Sequence, residues 1–311
     1  MTGKRLLVHT VALLMAPILV AWLGFSVAGA VGLVILLLLW RWAITLSGWV
    51  APAKSPELIL DTISASHFVE KVRWCMDRLN LTYTERPAGG TLSAFYLGYS
   101  VPRLRFRTGA VQSSIGNSAE ILRYLWGRYA AEKSYDASFL EPTGERLELE
   151  SRIDRCGVAL QVWVYHHVLD DRDLTLHAWG CNSPVIPPWQ RFTLKLVFPL
   201  QRLLIRKSFR ITPGHYDRSV QLVSTLLDEV EQALEDGRHS ILGGDVNFSD
   251  LAFAAIMGLW LQPSAYGGGR ADTVRVEESQ MPDDMRADIE HWKNSYPRCT
   301  EFIESLYAES R

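Results

Sequence analysis

The segment Ser-His-Phe-Val-Glu-Lys-Val-Arg at 66–73 carries the side chains best placed for chemistry, because its serine comes directly before a predicted helix. Apolar residues at helical spacing over 68–79 predict that helix, and Leu58–Leu60 predicts a buried strand before it. A hydroxyl at the start of a helix can donate to a thiolate, and the helix dipole favours the anionic form of a thiol. Ser66 could also serve as the N-cap, since both roles can coexist. Ser64 is a weaker candidate.

Two further short segments stand at the starts of predicted elements. Val-Pro-Arg-Leu at 101–104 opens a predicted strand, and Asn-Ser at 117–118 begins a helix that continues to Arg128. The free N–H groups at the start of that helix, together with the Ser118 hydroxyl, could form a site for an anion.

The order and spacing of these three segments resemble the amino-terminal domain of soluble glutathione transferases. The corresponding patterns in that family are S/C-P-F-x-x-K/R-V-R, then V-P-x-L, then E/Q-S-x-x-I-x-x-Y-L. A fourth segment at 243–251, Gly-Gly-Asp-Val-Asn-Phe-Ser-Asp-Leu, resembles the family's G-D-x-x-T-x-A-D-L. Asn247 and Asp250 within it predict a capping box ahead of an apolar helix. The resemblance covers 57–128 well and 140–308 loosely.

The resemblance implies an α+β protein, with a thioredoxin-like α/β domain at 57–130 and an all-helical domain at 138–308. It implies that Ser66 is the catalytic residue, which activates the thiol of the cosubstrate glutathione for conjugation to a small apolar electrophile. The glutathione-binding positions that it implies are His67, Val101, Pro102, Asn117 and Ser118. In the family the proline is cis, the residue before it presents its backbone to the peptide, and the serine binds the γ-glutamyl carboxylate.

Two positions depart from the family pattern. His67 stands where proline is usual, and Asn117 stands where Glu or Gln is usual, so it cannot supply the charge that pairs with the ligand's amino group. These departures favour an alternative, a non-catalytic binding or scaffold protein of the same fold at a membrane, because a fold does not settle activity. Glutathione-dependent reduction is disfavoured, because Ser66 occupies the position that reductase-type members fill with cysteine.

Hydrophobic patterning predicts the elements that position these residues. The α/β unit reads as strand, helix, strand, loop, two strands of a hairpin, and helix. After Ser138 the strand signals stop, and helices are predicted at Glu145–Leu169, Tyr216–Glu235, Leu251–Leu261 and, as one or two helices, Met285–Tyr307.

The first fifty residues predict a membrane anchor. Residues 6–40 contain no Asp, Glu, Lys or Arg. This uncharged segment is too long for one ideal membrane span and slightly short for two. Small residues in the middle suit a tight hairpin of two spans, Leu6–Leu23 and Val31–Val50. The alternatives are a single tilted span and a cleaved signal peptide, for which the apolar stretch is far too long. Basic residues flank both ends and predict that the following body faces the cytoplasm. The two prolines of 51–56 predict a stiff linker.

Charge and cysteine content restrict the partners of the chain. A net charge of −2 over 311 residues argues against a general nucleic-acid binder. The four cysteines form no CxxC pair and no Cys/His zinc spacing, so no metal site is predicted and a reducing compartment is favoured. His166-His167 and Asp170-Asp171 lack further ligands at a suitable spacing. The family resemblance also allows a homodimer.

A basic stretch follows in the helical half. No Asp or Glu occurs from Leu174 to Tyr216, and Arg191, Lys195, Arg202 and Arg206 recur on one helical face between apolar residues. This pattern is typical of an amphipathic helix that contacts anionic lipid headgroups. An ordinary domain helix with a solvated basic face is an equal alternative. Pro199 is expected to kink or split the helix.

Overall fold

The computed structural model describes Met15 and residues 26–50, 56–90, 101–108 and 111–311. Its strands are β1 (Glu57–Thr62), β2 (Tyr83–Pro87), β3 (Arg103–Thr108) and β4 (Val111–Gly116), in one sheet of order β2–β1–β3–β4. The helices are α1 (Val27–Val50), α2 (His67–Arg78), α3 (Ser118–Tyr129), α4 (Gly144–Val168), α5 (Arg172–Ala178), α6 (Pro188–Ser208), α7 (Pro213–Ala233), α8 (Phe248–Leu261), α9 (Asp283–Ser295) and α10 (Pro297–Ser310).

The chain forms two compact units. The first comprises the described residues of Met1–Leu60 together with Leu104–Ile115, and the second comprises Asp61–Arg103 and Gly116–Arg311. The division passes through β1. The domain limits expected from the sequence, 57–130 and 138–308, stay a prediction.

In the first unit, α1 includes the predicted span Val31–Val50. Apart from Met15, the predicted span Leu6–Leu23 lies outside the described residues, as does the linker 51–56 apart from Pro56. Within the part of the chain that the structure describes, no helix combines the length and apolar character needed to cross a bilayer.

The second unit is built around α8. This helix is buried on nearly all sides and packs against α2, α4 and α10, while α4 also packs against α7. Its near-continuous apolar sequence has no polar face to present to water, which is why the helix occupies the centre. The predicted capping box is present. The backbone N–H of Asn247 donates to Asp250 Oδ2 at 2.9 Å, and the side-chain oxygen Oδ1 of Asn247 accepts from Ser249 N at 3.0 Å.

Helix α6 continues from Pro188 to Ser208 with Pro199 in its interior. Of the two outcomes expected at Pro199, a kink or a split, the split does not occur. The carbonyl of Lys195, four residues earlier, receives no N–H from Pro199 and instead accepts a hydrogen bond from Arg172 at 3.5 Å.

Candidate active site at the start of helix α2

Ser66 occupies the junction between β1 and α2 and is the N-cap of α2. Its amide donates to Ile63 O at 2.9 Å, and its Oγ accepts from Val69 N at 3.4 Å. A hydroxyl that accepts one hydrogen bond still has its own hydrogen to donate. Ser66 is half-buried, so this hydrogen can reach a ligand while the oxygen caps the helix.

Three of the predicted site residues meet at one cavity. Ser66, His67 and Val101 line a space of about 210 Å³. Most of the remaining wall is apolar, and its larger or polar members are Gln161, Tyr165, Thr175, Trp179, Phe209, Gln262, Tyr266 and Arg275. Pockets of this kind, apolar with a few converging polar groups, are typical of small-molecule sites.

The other predicted residues do not line this cavity. The Val101–Pro102 peptide bond is cis, as the family resemblance implies. Ser118 is buried in the first turn of α3, and Asn117 caps that helix, with Oδ1 accepting from Ala119 N at 3.2 Å. Ser64 is buried outside the cavity wall, which leaves Ser66 as the serine that faces it.

The backbone of Asn117 is strained. Its φ of 70° with ψ of 131° lies in a region that residues with a Cβ rarely adopt. Such conformations cost about 1–3 kcal/mol and persist only where the surroundings hold them, often at ligand sites. The strain sits directly before the N-terminus of α3, where the sequence predicts an anion site.

His67 joins α2 to α4. Its Nε2 donates to Gly157 O at 3.0 Å, and because a carbonyl only accepts, this nitrogen must carry the hydrogen. Burial lowers the pKa of His67 to about 4, partly offset by the bond to Gly157. His67 is therefore neutral near pH 7 and brings no positive charge to the cavity.

Buried ion pairs also join α2 to α4. Lys71 Nζ, which is fully buried, lies 2.8 Å from Glu150 Oε1 and 2.8 Å from Asp154 Oδ1 of α4. Arg123 of α3 lies 2.8 Å from Glu150 Oε2. A buried charge requires such partners, because an uncompensated one costs several kcal/mol.

A second set of ion pairs connects α2 to β2 and to Arg311. Arg73 contacts Glu85 of β2 at 2.8 Å and also donates to Ser64 O at 3.1 Å. Glu70, in the first turn, lies 2.7 Å from Arg311 at the chain terminus. One signal of this network is visible in the sequence, because Lys71 and Arg73 match the K/R-V-R positions of the family pattern. Their acidic partners lie too far away in sequence to be identified.

The cysteines are remote from this chemistry. All four are buried. Burial raises the pKa of Cys75 to about 12 and that of Cys156 to about 11, so neither forms a thiolate near neutral pH.

The pairs His166-His167 and Asp170-Asp171 have different partners in the structure. His167 lies 3.0 Å from Asp284 and 3.2 Å from Asp288, both on α9. Asp170 pairs with Arg202 and Arg206 instead. These residues therefore serve contacts between helices of the second unit.

Comparisons with known proteins gave structural matches only. No protein-family model matches the chain, and no curated protein matches it. It is similar to a glutathione S-transferase from Methylobacterium radiotolerans in complex with glutathione sulfonate, at 14% identity and a TM-score of 0.49, covering 82% of this chain and 94% of that one. It is also similar to a glutathione transferase family member from Pseudomonas fluorescens Pf-5 with bound S-(propanoic acid)-glutathione, at 14% identity and a TM-score of 0.46, covering 80% and 92%. A third is a glutathione S-transferase from Methylobacillus flagellatus with glutathione bound, at 14% identity and a TM-score of 0.46, covering 80% and 94%. The solved structures that this chain resembles are thus glutathione transferases, and at such low identity its own ligand has to be argued from its own residues.

Proposed function

We propose that this protein binds glutathione and activates its thiol for conjugation to small apolar electrophiles, beside a membrane in which its N-terminal segment is anchored. One observation carries the proposal. The Ser66 hydroxyl, at the N-cap of α2, lines a largely apolar cavity of about 210 Å³. The resemblance of 66–73 to the family's thiol-activating segment supports the same assignment.

The chemistry follows from the start of α2. The thiol of glutathione would lose its proton to solvent, and the resulting thiolate would accept a hydrogen bond from the Ser66 hydroxyl and be favoured by the dipole of α2. The thiolate sulfur then donates an electron pair to the electrophile, which expels its leaving group or takes up the charge on its own acceptor atom. Glu70 in the first turn would oppose a thiolate, but Arg311 pairs with it at 2.7 Å and compensates its charge.

The rest of the ligand would use the other predicted positions. Val101, beside the cis bond to Pro102, would pair its backbone with the peptide, and Ser118 at the start of α3 would bind the γ-glutamyl carboxylate. Asn117 offers no negative charge to the ligand's amino group. We therefore expect weaker binding than a Glu at that position would give.

The electrophile would occupy the apolar part of the cavity. Tyr165, Trp179 and Phe209 form much of that wall. Their area favours an aromatic or aliphatic substrate, because burial of apolar surface supplies the binding energy.

Calorimetry with the full chain in detergent tests the proposal. We expect glutathione to bind at millimolar concentration or below. Ser66→Ala should reduce conjugation by about 10- to 100-fold, since one charge-assisted hydrogen bond contributes about 1.5–3 kcal/mol. Ser64→Ala is the matched control, because Ser64 lies outside the cavity wall, and it should leave both properties unchanged. No binding of glutathione at millimolar concentration would sink the proposal.

A second candidate is a non-catalytic binding or scaffold protein of the same fold. The observation that favours it is the side chain of Asn117, whose oxygen caps α3 and whose amide cannot replace a carboxylate. This candidate predicts that glutathione either fails to bind or binds with its thiol protonated. It also predicts that Ser66→Ala has no effect on binding or on the state of the thiol.

A further inference from the structure

Helix α6 leaves an apolar stripe uncovered. The stripe consists of Trp189, Phe192, Leu196, Leu200 and Leu203, which are between 57% and 69% exposed. Their spacings of three and four residues place them on one face of the helix. The opposite face packs into the second unit through Leu194, Phe198 and Ile205. Exposed apolar patches of this kind mark interaction surfaces.

A basic flank runs beside the stripe. Arg191, Lys195, Arg202 and Arg206 lie about 80–140° around the helix from Leu196, at about 100° per residue. Three of them are exposed and Arg191 is half-buried. Asp170 pairs with Arg202 and Arg206, and among the described residues it is the carboxylate that forms ion pairs with this flank. Four cations against one carboxylate leave the flank positive.

The stripe ends at a basic depression. This open space of about 890 Å³ lies at the C-terminal end of α6, and its wall includes Leu203, Lys207, Arg210, His215 and Arg218. The charge continues from the flank into a hollow with room for phosphate groups. Guanidinium and ammonium groups are the usual protein partners of phosphate.

We infer that α6 lies in the headgroup region of an anionic lipid bilayer, with the stripe inserted toward the acyl chains and the flank and depression on lipid phosphates. Charge complementarity decides in favour of this occupant. A second copy of the chain would bring a like-charged flank to the same surface, whereas an anionic bilayer neutralises it. A tryptophan at the start of the stripe also suits the membrane interface. The inference concerns α6 alone and does not depend on the N-terminal anchor.

The helix also borders the proposed active site. Phe209, the C-cap of α6, lines the cavity, as does Trp179, whose ring centroid lies 5.7 Å from that of Phe198 of α6. If the proposed function holds, an apolar electrophile dissolved in the bilayer would be concentrated next to the cavity wall. The lipid contact of α6 does not depend on this consequence.

Local contact with lipid can be measured on the full chain in vesicles, independently of any anchor. The variant Leu196→Cys is labelled with a nitrobenzoxadiazole dye, which is selective because the four native cysteines are buried. Quenching by nitroxide-labelled lipid is compared between two kinds of vesicle. One is pure phosphatidylcholine, and the other contains one-third phosphatidylglycerol and two-thirds phosphatidylcholine. Leu222→Cys on α7, an exposed leucine outside the stripe, is the control position.

We expect strong quenching at position 196 in the anionic vesicles, weak quenching in the neutral ones, and weak quenching at 222 in both. Lys195→Gln with Lys207→Gln should weaken docking by roughly 25-fold, at about fivefold for each cation removed from an anionic surface. Lys133→Gln with Lys293→Gln makes the same change in net charge, in the turn after α3 and on α9, and should leave the quenching at 196 unchanged.

Three results would overturn the inference. They are equal quenching at 196 and 222, quenching at 196 that does not depend on phosphatidylglycerol, and a dye at 196 that is already shielded without lipid in a dimer detected by light scattering. The last result would identify a second copy of the chain as the occupant. Neither conjugation activity nor glutathione binding enters these readouts, so failure here is distinguishable from failure of the proposed function.

Discussion

Ser66 and His67 are neighbours in sequence but have different surroundings. Ser66 is half-buried and caps α2 while its hydroxyl faces the cavity, whereas His67 is 2% exposed and bonded to the backbone of α4. One residue can therefore act on a ligand, and the other fixes the helix that presents it. The family resemblance implied a ligand-binding role for both, and the geometry gives His67 a structural bond in addition.

The depressed pKa of His67 makes stability depend on pH. A neutral buried histidine stabilises the fold fully above its unfolded pKa of about 6.5, and this contribution is lost as the pH falls toward the folded pKa of about 4. Between pH 7 and pH 5 the wild type should lose about 2 kcal/mol through this group. His67→Gln keeps an N–H for Gly157 but does not titrate, so it should lack that loss.

Urea unfolding of the full chain, followed by tryptophan fluorescence at both pH values, measures the difference. All other titrating groups are shared by the two proteins. The pH dependence of the unfolding free energy in the wild type, minus that in His67→Gln, therefore isolates this side chain. Identical pH dependence in the two proteins would show that His67 titrates normally and is not buried as described.

At the scale of elements, the contact between α2 and α4 depends on Gly157. A Cβ at that position would lie 2.8 Å from Phe68 Cζ, 3.2 Å from His67 Nε2 and 3.2 Å from Ile256 Cδ1. Gly157→Ala should therefore force α2 and α4 apart and cost about 1–3 kcal/mol of unfolding free energy. It should also weaken glutathione binding, because Ser66 moves with α2.

Gly127 supplies the matched control for this prediction. It lies in the exposed part of α3, and a Cβ there would meet nothing within 4 Å. Gly127→Ala should stabilise the protein by about 0.5–1 kcal/mol, since alanine is the better helix former. Chemical denaturation of both variants shows whether each substitution raises or lowers the free energy of unfolding. A Gly157→Ala variant as stable as wild type would contradict the close approach of the two helices.

The sequence predicted elements better than it predicted the cavity. The helices predicted at 68–79 and 118–128 are found as α2 and α3 within a residue or so, because apolar periodicity records which face is buried. The capping box of α8 was also predicted, since its two residues are local. The strand predicted at Leu81–Thr84 is displaced to Tyr83–Pro87, because a short strand has too few residues to fix its own ends.

The partners of α2 could not be predicted in the same way. Lys71 and Arg73 were visible in the motif, but Glu150, Glu85 and Arg311 bind them or their helix from distant parts of the chain. Periodicity reports burial along one element and carries no information on which elements meet. The cavity wall shows the same limit, since Trp179 and Tyr266 join Ser66 only through the tertiary fold.

At the scale of the whole molecule, the proposals concern a helix start that activates a thiol, an apolar cavity beside it, and two segments directed to a membrane. The N-terminal anchor is a prediction from 1–50, and the lipid contact of α6 is an inference from its exposed stripe. If topology mapping placed residue 60 outside the cytoplasm, the protein would lack the glutathione pool that the proposed function needs. The lipid contact of α6 would be unaffected by that result.

The central claim is that the start of α2, with Ser66, stabilises the glutathione thiolate. The most direct measurement is the pKa of the bound thiol, followed by ultraviolet absorbance of the thiolate in the full chain saturated with glutathione. The account predicts a pKa roughly one unit or more below the free thiol value of about 8.5, a return toward that value in Ser66→Ala, and no change in Ser64→Ala. A bound thiol that titrates at the free value in the wild type, or one that is unaffected by Ser66→Ala, would contradict it.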